Sequence, residues 1–225
     1  MIEYVVPLNI DDRALAKATR VLEGGGLVAL PTDTSWSIVC SLKSPNGIKK
    51  LRKLSGERDE RHFTLLCSGI SQFGELCNLD NSRFRLINRL SPGPYVFILR
   101  TLLGTEKALD IRRKEVGVRI PAHSIPLALI DTLQQPLYSI TAKKSMHNDF
   151  DDNDSEDDSG DNDSEELPPI PEDDLFEGGW ELDGIGGLDL ILDGGEERER
   201  IFSTILDLSG DDVKLLRQGA GPWPV

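Results

Sequence analysis

The chain alternates between helical and strand-like hydrophobic periods. Leu15, Ala18, Val21 and Leu22 recur at helical spacing behind Asn9 or Asp11, either of which can cap the helix, and Gly24, Gly25 and Gly26 stop it after Glu23. Apolar runs then predict strands over 27–30 and 36–40. Ser44 caps a second helix with Pro45 at its first position; Ile48, Leu51 and Leu54 face inward, while Lys49, Lys50, Arg52 and Lys53 face water. Residues 63–67 read as a strand, and 82–90 as a helix with Phe84, Ile87 and Leu90 on one face. Ser91-Pro-Gly-Pro94 is a rigid turn into a strand over 95–99. A strand over 116–120, a helix over 125–133 and a strand over 137–141 follow, with later strands over 188–192, 203–208 and 213–216. The glycines of 178–187 predict a short or broken helix anchored by Trp180 and Ile185, since each interior glycine costs a helix roughly 1 kcal/mol. This interleaving argues an α/β fold: one domain with a largely parallel or mixed sheet covered by helices.

Charge divides the chain more sharply than hydropathy does. Residues 149–174 hold 14 Asp or Glu and no Lys or Arg, which equals the whole formal charge of −14. Residues 1–148 carry 21 Lys or Arg against 14 Asp or Glu, and 175–225 carry 4 against 11. The acidic run cannot bury enough apolar surface to offset the entropy of ordering. The expected organisation is therefore a core over 1–148, an acidic disordered insert over 149–174, and 175–225 completing the same domain. The insert reads as a solubilising linker or as an intramolecular competitor for RNA or nucleotide. It lacks an EF-hand's acidic spacing and terminal Glu.

Cys40, Cys67 and Cys77 form no C-x-x-C pair and have no histidines at metal spacing, so buried thiols are expected and no structural metal. No basic-then-apolar leader and no long apolar run is present, which predicts a cytoplasmic protein that neither is secreted nor spans a membrane.

The candidate chemistry starts where the run ending at Leu30 delivers Pro31, Thr32, Asp33 and Thr34 to a strand end, the usual place for ligands in open α/β sheets. Thr32 and Thr34 share one side of an extended backbone; their hydroxyls either meet a ligand or satisfy the turn, with Asp33 capping the neighbouring loop. Arg119 lies in an otherwise apolar strand and must reach solvent, an ion-pair partner or an anionic ligand. His123, framed by Pro121 and Pro126, reads as a loop residue, and His62 has no supporting pattern.

Ordered landmarks add to this reading. Gly25-Gly-Leu-Val-Ala-Leu-Pro-Thr-Asp-Thr34, His62-Phe-Thr-Leu-Leu-Cys67, Ser91-Pro-Gly-Pro-Tyr-Val-Phe-Ile-Leu99, Gly117-Val-Arg-Ile-Pro-Ala-His123 and Ser203-Thr-Ile-Leu-Asp207 resemble the YrdC domain, specifically its YciO-like branch. The resemblance implies a YrdC-like twisted open mixed sheet with a positively charged concave face. It implies relatedness to enzymes that make L-threonylcarbamoyladenylate from L-threonine, bicarbonate and ATP for tRNA t6A modification, with Mg2+ and ATP as cofactors. It places Thr32, Thr34, Arg119, Ser139, Thr141, Ser203 and Thr204 around the substrate or nucleotide. The synthases' Lys-x-Arg signature falls here on Ser55 and Glu57, and their Ser-x-Asn signature on Thr141 and Lys143. Two cations beside a transferring phosphoryl group are thereby lost, at about 2–4 kcal/mol each; Lys53 and Arg58 are candidate accessory cations. An acyl-adenylate hydrolase is a further reading of the same pocket.

A reading of another class is a double-stranded RNA, tRNA or ribosome-associated binding module without synthase activity. Lys49, Lys50, Arg52, Lys53, Arg58 and Arg61 cluster, and Arg83, Arg85, Arg89, Arg112, Arg113 and Lys114 add to them. If this basic body binds RNA, affinity measured by filter binding falls steeply with salt. If the insert competes, removing it strengthens binding, and unchanged affinity after its removal ends the self-competition reading.

Overall fold

The computed structural model describes residues 1–55, 63–102, 114–147, 171–197 and 199–223. Its centre is a ten-stranded mixed sheet. The first seven strands are β1 (Ile2–Tyr4), β2 (Val28–Pro31), β3 (Trp36–Ser41), β4 (Thr64–Leu66), β5 (Tyr95–Arg100), β6 (Glu115–Arg119) and β7 (Leu137–Thr141). After the acidic segment come β8 (Leu190–Asp193), β9 (Thr204–Asp207) and β10 (Lys214–Arg217). Their order is β1-β8-β2-β3-β7-β4-β6-β5-β9-β10. The β1/β8, β2/β8, β4/β6 and β5/β9 pairs are parallel; β2/β3, β3/β7, β4/β7, β5/β6 and β9/β10 are antiparallel. The mixed α/β architecture expected from the interleaved pattern is the one observed.

Five α-helices lie on the sheet among the described residues: α1 (Asp12–Glu23), α2 (Pro45–Ser55), α3 (Ile70–Leu76), α4 (Asn81–Leu90) and α5 (Ser124–Leu133). Asp11 caps α1 by accepting from Arg13 N, Asp80 caps α4 by accepting from Arg83 N, and Ser44 Oγ accepts from Gly47 N at the start of α2. Gly25 follows α1 with φ +80°, a conformation side-chain-bearing residues rarely adopt.

The helices divide between the two faces. Ile48, Leu51 and Leu54 of α2, Phe73 of α3, and Ile87 and Leu90 of α4 bury against Trp36, Ile38, Phe97, Val118 and Tyr138 of the sheet. On the other face, Leu15, Ala18 and Leu22 of α1 and Ile125, Leu129 and Ile130 of α5 cover Val28, Leu30, Val39 and Leu137. Strand alternation puts Ser37, Thr64, Val96, Gly117, Ser139 and Ile205 on this second face as well, where they line a cavity.

Several expectations change. Strand β1 and helix α3 were not predicted: β1 is three residues held by pairing to β8, and α3 buries one side chain, Phe73. Phe84, expected on the inner face of α4, is exposed, and Ile87 and Leu90 carry the packing. Trp180 is 69% exposed and does not anchor the glycine-rich segment; Leu182 and Ile185 do, within and after a 3-10 helix over Gly179–Gly184. His123 is the N-cap of α5, its Nδ1 accepting from Ile125 N. Residues 149–170 of the acidic insert lie outside the described residues. Toward its expected end, Glu172–Asp174 form a 3-10 turn, Asp174 accepts from Ser145 N and Oγ, and Lys143 pairs with Leu175. A deletion that leaves this stem intact stops before Pro171.

No helix of the described residues is long and apolar enough to cross a membrane. The three cysteines are free and buried, and burial pushes the Cys40 and Cys77 thiols up to about 12 and raises that of Cys67 as well. Urea unfolding of two variants checks the packing around 178–187. Leu182→Ala lowers stability by about 2–5 kcal/mol, and Trp180→Ala changes it by less than about 0.5 kcal/mol. Equal losses would contradict the assignment of Leu182 as the anchor.

Candidate functional site

Beyond the end of β2 the chain turns through Thr32, Asp33, Thr34 and Ser35 before β3. Thr32 is fully buried: its Oγ1 donates to Ser35 O at 2.7 Å and accepts from Thr34 N at 3.2 Å. Thr34 Oγ1 lies 3.2 Å from Thr32 Oγ1 and faces outward to Arg119. Thr32 shapes the turn, and Thr34 connects the turn to the site.

Arg119 ends β6 and is 4% exposed. Its Nε donates to Gly93 O at 3.3 Å; one terminal nitrogen donates to Thr34 Oγ1 at 3.0 Å and Ser203 Oγ at 2.6 Å; the other donates to Asp33 Oδ1 at 2.6 Å. Asp33 Oδ1 also accepts from Ala122 N at 3.0 Å, so the carboxylate holds the loop after β6 as well. Burial pulls the Arg119 pKa down, and the Asp33 carboxylate pushes back. Of the three fates that sequence left to this cation, the structure displays the ion pair. Four of the five N–H donors are engaged, leaving one for a ligand.

Arg217 is the cation that the strand pattern missed. It lies at the end of β10, and its Nε and one terminal nitrogen donate to Ser203 O at 3.2 and 3.1 Å. The guanidinium carbon sits 4.9 Å from the centroid of the Phe202 ring. Burial, and then the positive charge of Arg119, bring its pKa down to about 10, so it is still charged at neutral pH. The pairing of β10 with β9 skips a residue: Leu215 opposes Leu206, and Arg217, two residues on, opposes Ile205. That bulge sets Arg217 on the cavity face beside Ile205; regular pairing would place it opposite Thr204, on the other face. Arg217 follows two leucines and precedes Gln218-Gly219, and nothing local to the sequence announces the skipped residue.

These groups stand at one side of a cavity with an empty volume of about 920 Å³, part of it open to solvent. Its lining includes Arg119, Arg217, Lys143 and Ser203, the hydroxyls of Ser35, Ser37, Ser139 and Thr141, and the apolar side chains of Val96 and Ile205. Ser139 Oγ donates to Thr64 O at 2.8 Å. Ser55 and Lys143, the two described positions at which the resemblance implies departures from the synthase signatures, both line this cavity.

The remaining candidates divide. Thr204 is fully buried and does not line the cavity; its hydroxyl bonds Gly221 O and accepts from Gly219 N, fixing the C-terminal segment. Lys53 is exposed on α2, apart from the lining. Glu57, Arg58, Arg61, His62, Arg112 and Arg113 lie outside the described residues. Lys49, Lys50, Arg85 and Arg89 are exposed on α2 and α4, the helices packed on the opposite face of the sheet; Lys50 pairs with Asp189, and Arg83 with Asp80. No group of three His, Cys, Asp or Glu able to hold a metal occurs among the described residues.

Removing the arginine leaves the Asp33 carboxylate without its counter-charge, and breaking a buried pair from one side costs about 3–5 kcal/mol. Arg119→Met is therefore destabilised by that order in chemical denaturation. A loss under about 1 kcal/mol, the ordinary worth of an exposed pair, would show that the hub does not hold the fold.

Comparison with known proteins agrees with this fold. The family model described as "Telomere recombination", which covers Sua5, YciO and YrdC proteins, matches residues 20–163. YciO of Escherichia coli K12, itself described as uncharacterized, is 27% identical over 219 residues, covering 97% of this chain and 95% of that protein. The E. coli YciO crystal structure superposes with a TM-score of 0.76 at 26% identity, covering 100% of this chain and 98% of that one. The threonylcarbamoyl-AMP synthase of Pyrococcus abyssi is 25% identical over 220 residues, 96% of this chain but 58% of the synthase. The crystal structure of P. abyssi Sua5 complexed with L-threonine shares the fold, with a TM-score of 0.75 at 23% identity over 97% of this chain and 57% of that one. The chain belongs to the Sua5/YciO/YrdC family and is related to its threonylcarbamoyl-AMP synthases.

Proposed function

We propose that the cavity binds an adenine nucleotide and that the protein makes or breaks an acyl linkage at the α-phosphorus, with L-threonylcarbamoyladenylate as the compound formed. The observation that carries this reading is the convergence of Arg217, Ser203 and the remaining Arg119 donor at one side of a hydroxyl-lined, apolar-floored cavity. An α-phosphate there meets two guanidinium groups in a site that holds water off one side of each.

In the synthetic direction the amine of L-threonine takes up carbon dioxide derived from bicarbonate, giving a carbamate and releasing a proton. A carbamate oxygen attacks the α-phosphorus, the bond to the bridging oxygen of the β-phosphate breaks, and pyrophosphate leaves. No side-chain nucleophile takes part, and positioning and charge carry the rate. Arg217 meets the negative charge growing on the α-phosphoryl oxygens, while the Asp33–Arg119 pair fixes the Ser203 hydroxyl beside it. The described lining offers three cations and no carboxylate, so Mg2+ would be carried by the nucleotide's phosphates and would supply charge neutralisation there.

The hydrolytic direction has an observation of its own. Ser55 lines the cavity where the synthases' signature calls for a lysine, which weakens the hold on the pyrophosphate that must leave. A site that keeps the α-phosphate cations and loses one of those for the outer phosphates favours attack of water on an acyl-adenylate, yielding AMP and the free acid. The RNA-binding reading draws instead on the exposed lysines of α2 and arginines of α4, away from the cavity.

Pyrophosphate release with ATP, Mg2+, bicarbonate and L-threonine, compared with the same mixture lacking threonine, tests the synthetic reading. Threonine-dependent release is expected, reduced about 10²–10³-fold in Arg217→Ala. If there is none, threonylcarbamoyladenylate is supplied and AMP is followed. Absence of both reactions in protein that also fails to bind ATP or AMP would sink the nucleotide reading.

A further inference from the structure

The two edges of the sheet are finished differently. At one end β10 carries Lys214 and Arg217 and is bent by its bulge, features that blunt an edge against further pairing. At the other end of the strand order, β1 has neither a bulge nor a basic residue over Ile2–Tyr4. Its one charged residue, Glu3, turns to α1 and pairs with Lys17. Met1 O accepts from Ile191 N at 2.9 Å, and Val5 N donates to Asp193 O at 2.8 Å, so the odd-numbered residues face β8. The alternation of the ladder leaves the backbone N–H and C=O of Ile2 and Tyr4 pointing away from the sheet.

The side chains strung along this edge are apolar. Tyr4 is 70% exposed, and Met1, Val6 and Leu8 are exposed as well. Tyr4 stands in register with Asp193, whose carboxylate fills the space where a Cβ of Gly179 would stand, and the exposed Trp180 follows directly. Large apolar side chains bury roughly 100–250 Å² each. Five of them bring one copy of the chain to the roughly 800 Å² per partner of a standard interface.

The edge is also complementary to itself. Laid antiparallel about a two-fold axis at Tyr4, a second copy sets Tyr4 opposite Tyr4, Ile2 opposite Val6 and Glu3 opposite Val5. The outward N–H and C=O of the two Tyr4 residues then exchange both hydrogen bonds, and those of Ile2 meet the backbone of Val6. Moving the axis to Glu3 would keep outward groups facing outward groups, but it would set the Glu3 carboxylates directly against each other, which is destabilising. Charge thus selects the first register.

We propose that β1 is a self-association edge: two copies of this chain pair antiparallel along it, with Tyr4 on the two-fold axis, and join their sheets into one. Trp180 flanks the seam. β8 and β2 stand between this edge and the strands that line the cavity, so the seam lies apart from it.

Sedimentation equilibrium of the full chain, run over about a hundredfold range of concentration, reads the association directly. The wild-type protein shows a monomer–dimer equilibrium. Tyr4→Lys sets like charges across the axis and weakens it at least about tenfold, with an unchanged far-UV circular dichroism spectrum. Tyr4→Asp does the same, and an equimolar mixture of the two variants recovers a heterodimer, because in this register residue 4 faces its own counterpart. Leu215→Lys, on the opposite edge, leaves the association unchanged. Unfolding followed below the dissociation constant reports the monomer, in which Trp180→Ala stays neutral. A wild-type protein that is monomeric throughout would overturn the proposal, as would a dimer that persists in Tyr4→Lys or dissociates in Leu215→Lys. Variants that remain monomeric in the mixture would overturn the axis at Tyr4.

Discussion

A guanidinium that ends an apolar strand with almost no access to water has to be answered from within the protein, and Arg119 is answered by three segments far apart in sequence. The loop after β2 supplies Asp33 and Thr34, the turn before β5 supplies the carbonyl of Gly93, and the residue before β9 supplies Ser203. In the strand order β2 and β9 are separated by β3, β7, β4, β6 and β5, so these contacts draw two distant parts of the sheet toward one another across its concave face. The penalty for leaving that charge bare is several kcal/mol, which makes the curl of the sheet and the burial of the arginine a single condition.

The cavity exists because the helices are shared unevenly. One face of the sheet is covered by α2, α3 and α4 and the 3-10 segment near Leu182; the other has α1 and α5 over the β2, β3 and β7 portion. Where those two helices stop, the strands continue with smaller or polar residues at alternate positions: Ser37, Thr64, Gly117 and Ser139. A strand position that would hold Val or Leu under a helix holds a hydroxyl or no side chain here, and the apolar alternates behind it keep the sheet anchored to its other layer. Beyond the cover of α1 and α5, cavity-lining and core positions thus alternate along the same strands.

Much of this was legible in the sequence, for definite reasons. Helix α1, helix α2 and the strands from β2 to β7 announce themselves because each has a cap, a glycine stop or a clean apolar run that agrees with its final environment. The prominence of Arg119 was legible too, since a lone cation in an apolar strand has few physical outcomes. Its pairing with Asp33 was left open, because sequence spacing cannot say which side of a turn meets a strand 86 residues away. Trp180 misled because size was taken for burial, whereas the turn there directs the indole outward and leaves Leu182 inside. Thr204 and Ser203 are neighbours that point to opposite faces, so treating them as a pair merged a cavity hydroxyl with a structural one.

The bulge in β10 couples the register of an edge strand to the charge of the cavity. Loss of Leu216 alone would restore a regular ladder and leave the arginine opposite Ile205, whereas a one-residue slip that absorbs the bulge with Leu216 retained would set it opposite Thr204, on the other face, although no residue lining the cavity had been replaced. An edge strand is bound on one side only, which makes it the part of a sheet where such a slip disturbs the rest least. Anion binding in this fold therefore depends on the register of a strand at the margin, a property that a position-by-position comparison of cavity residues would not reveal.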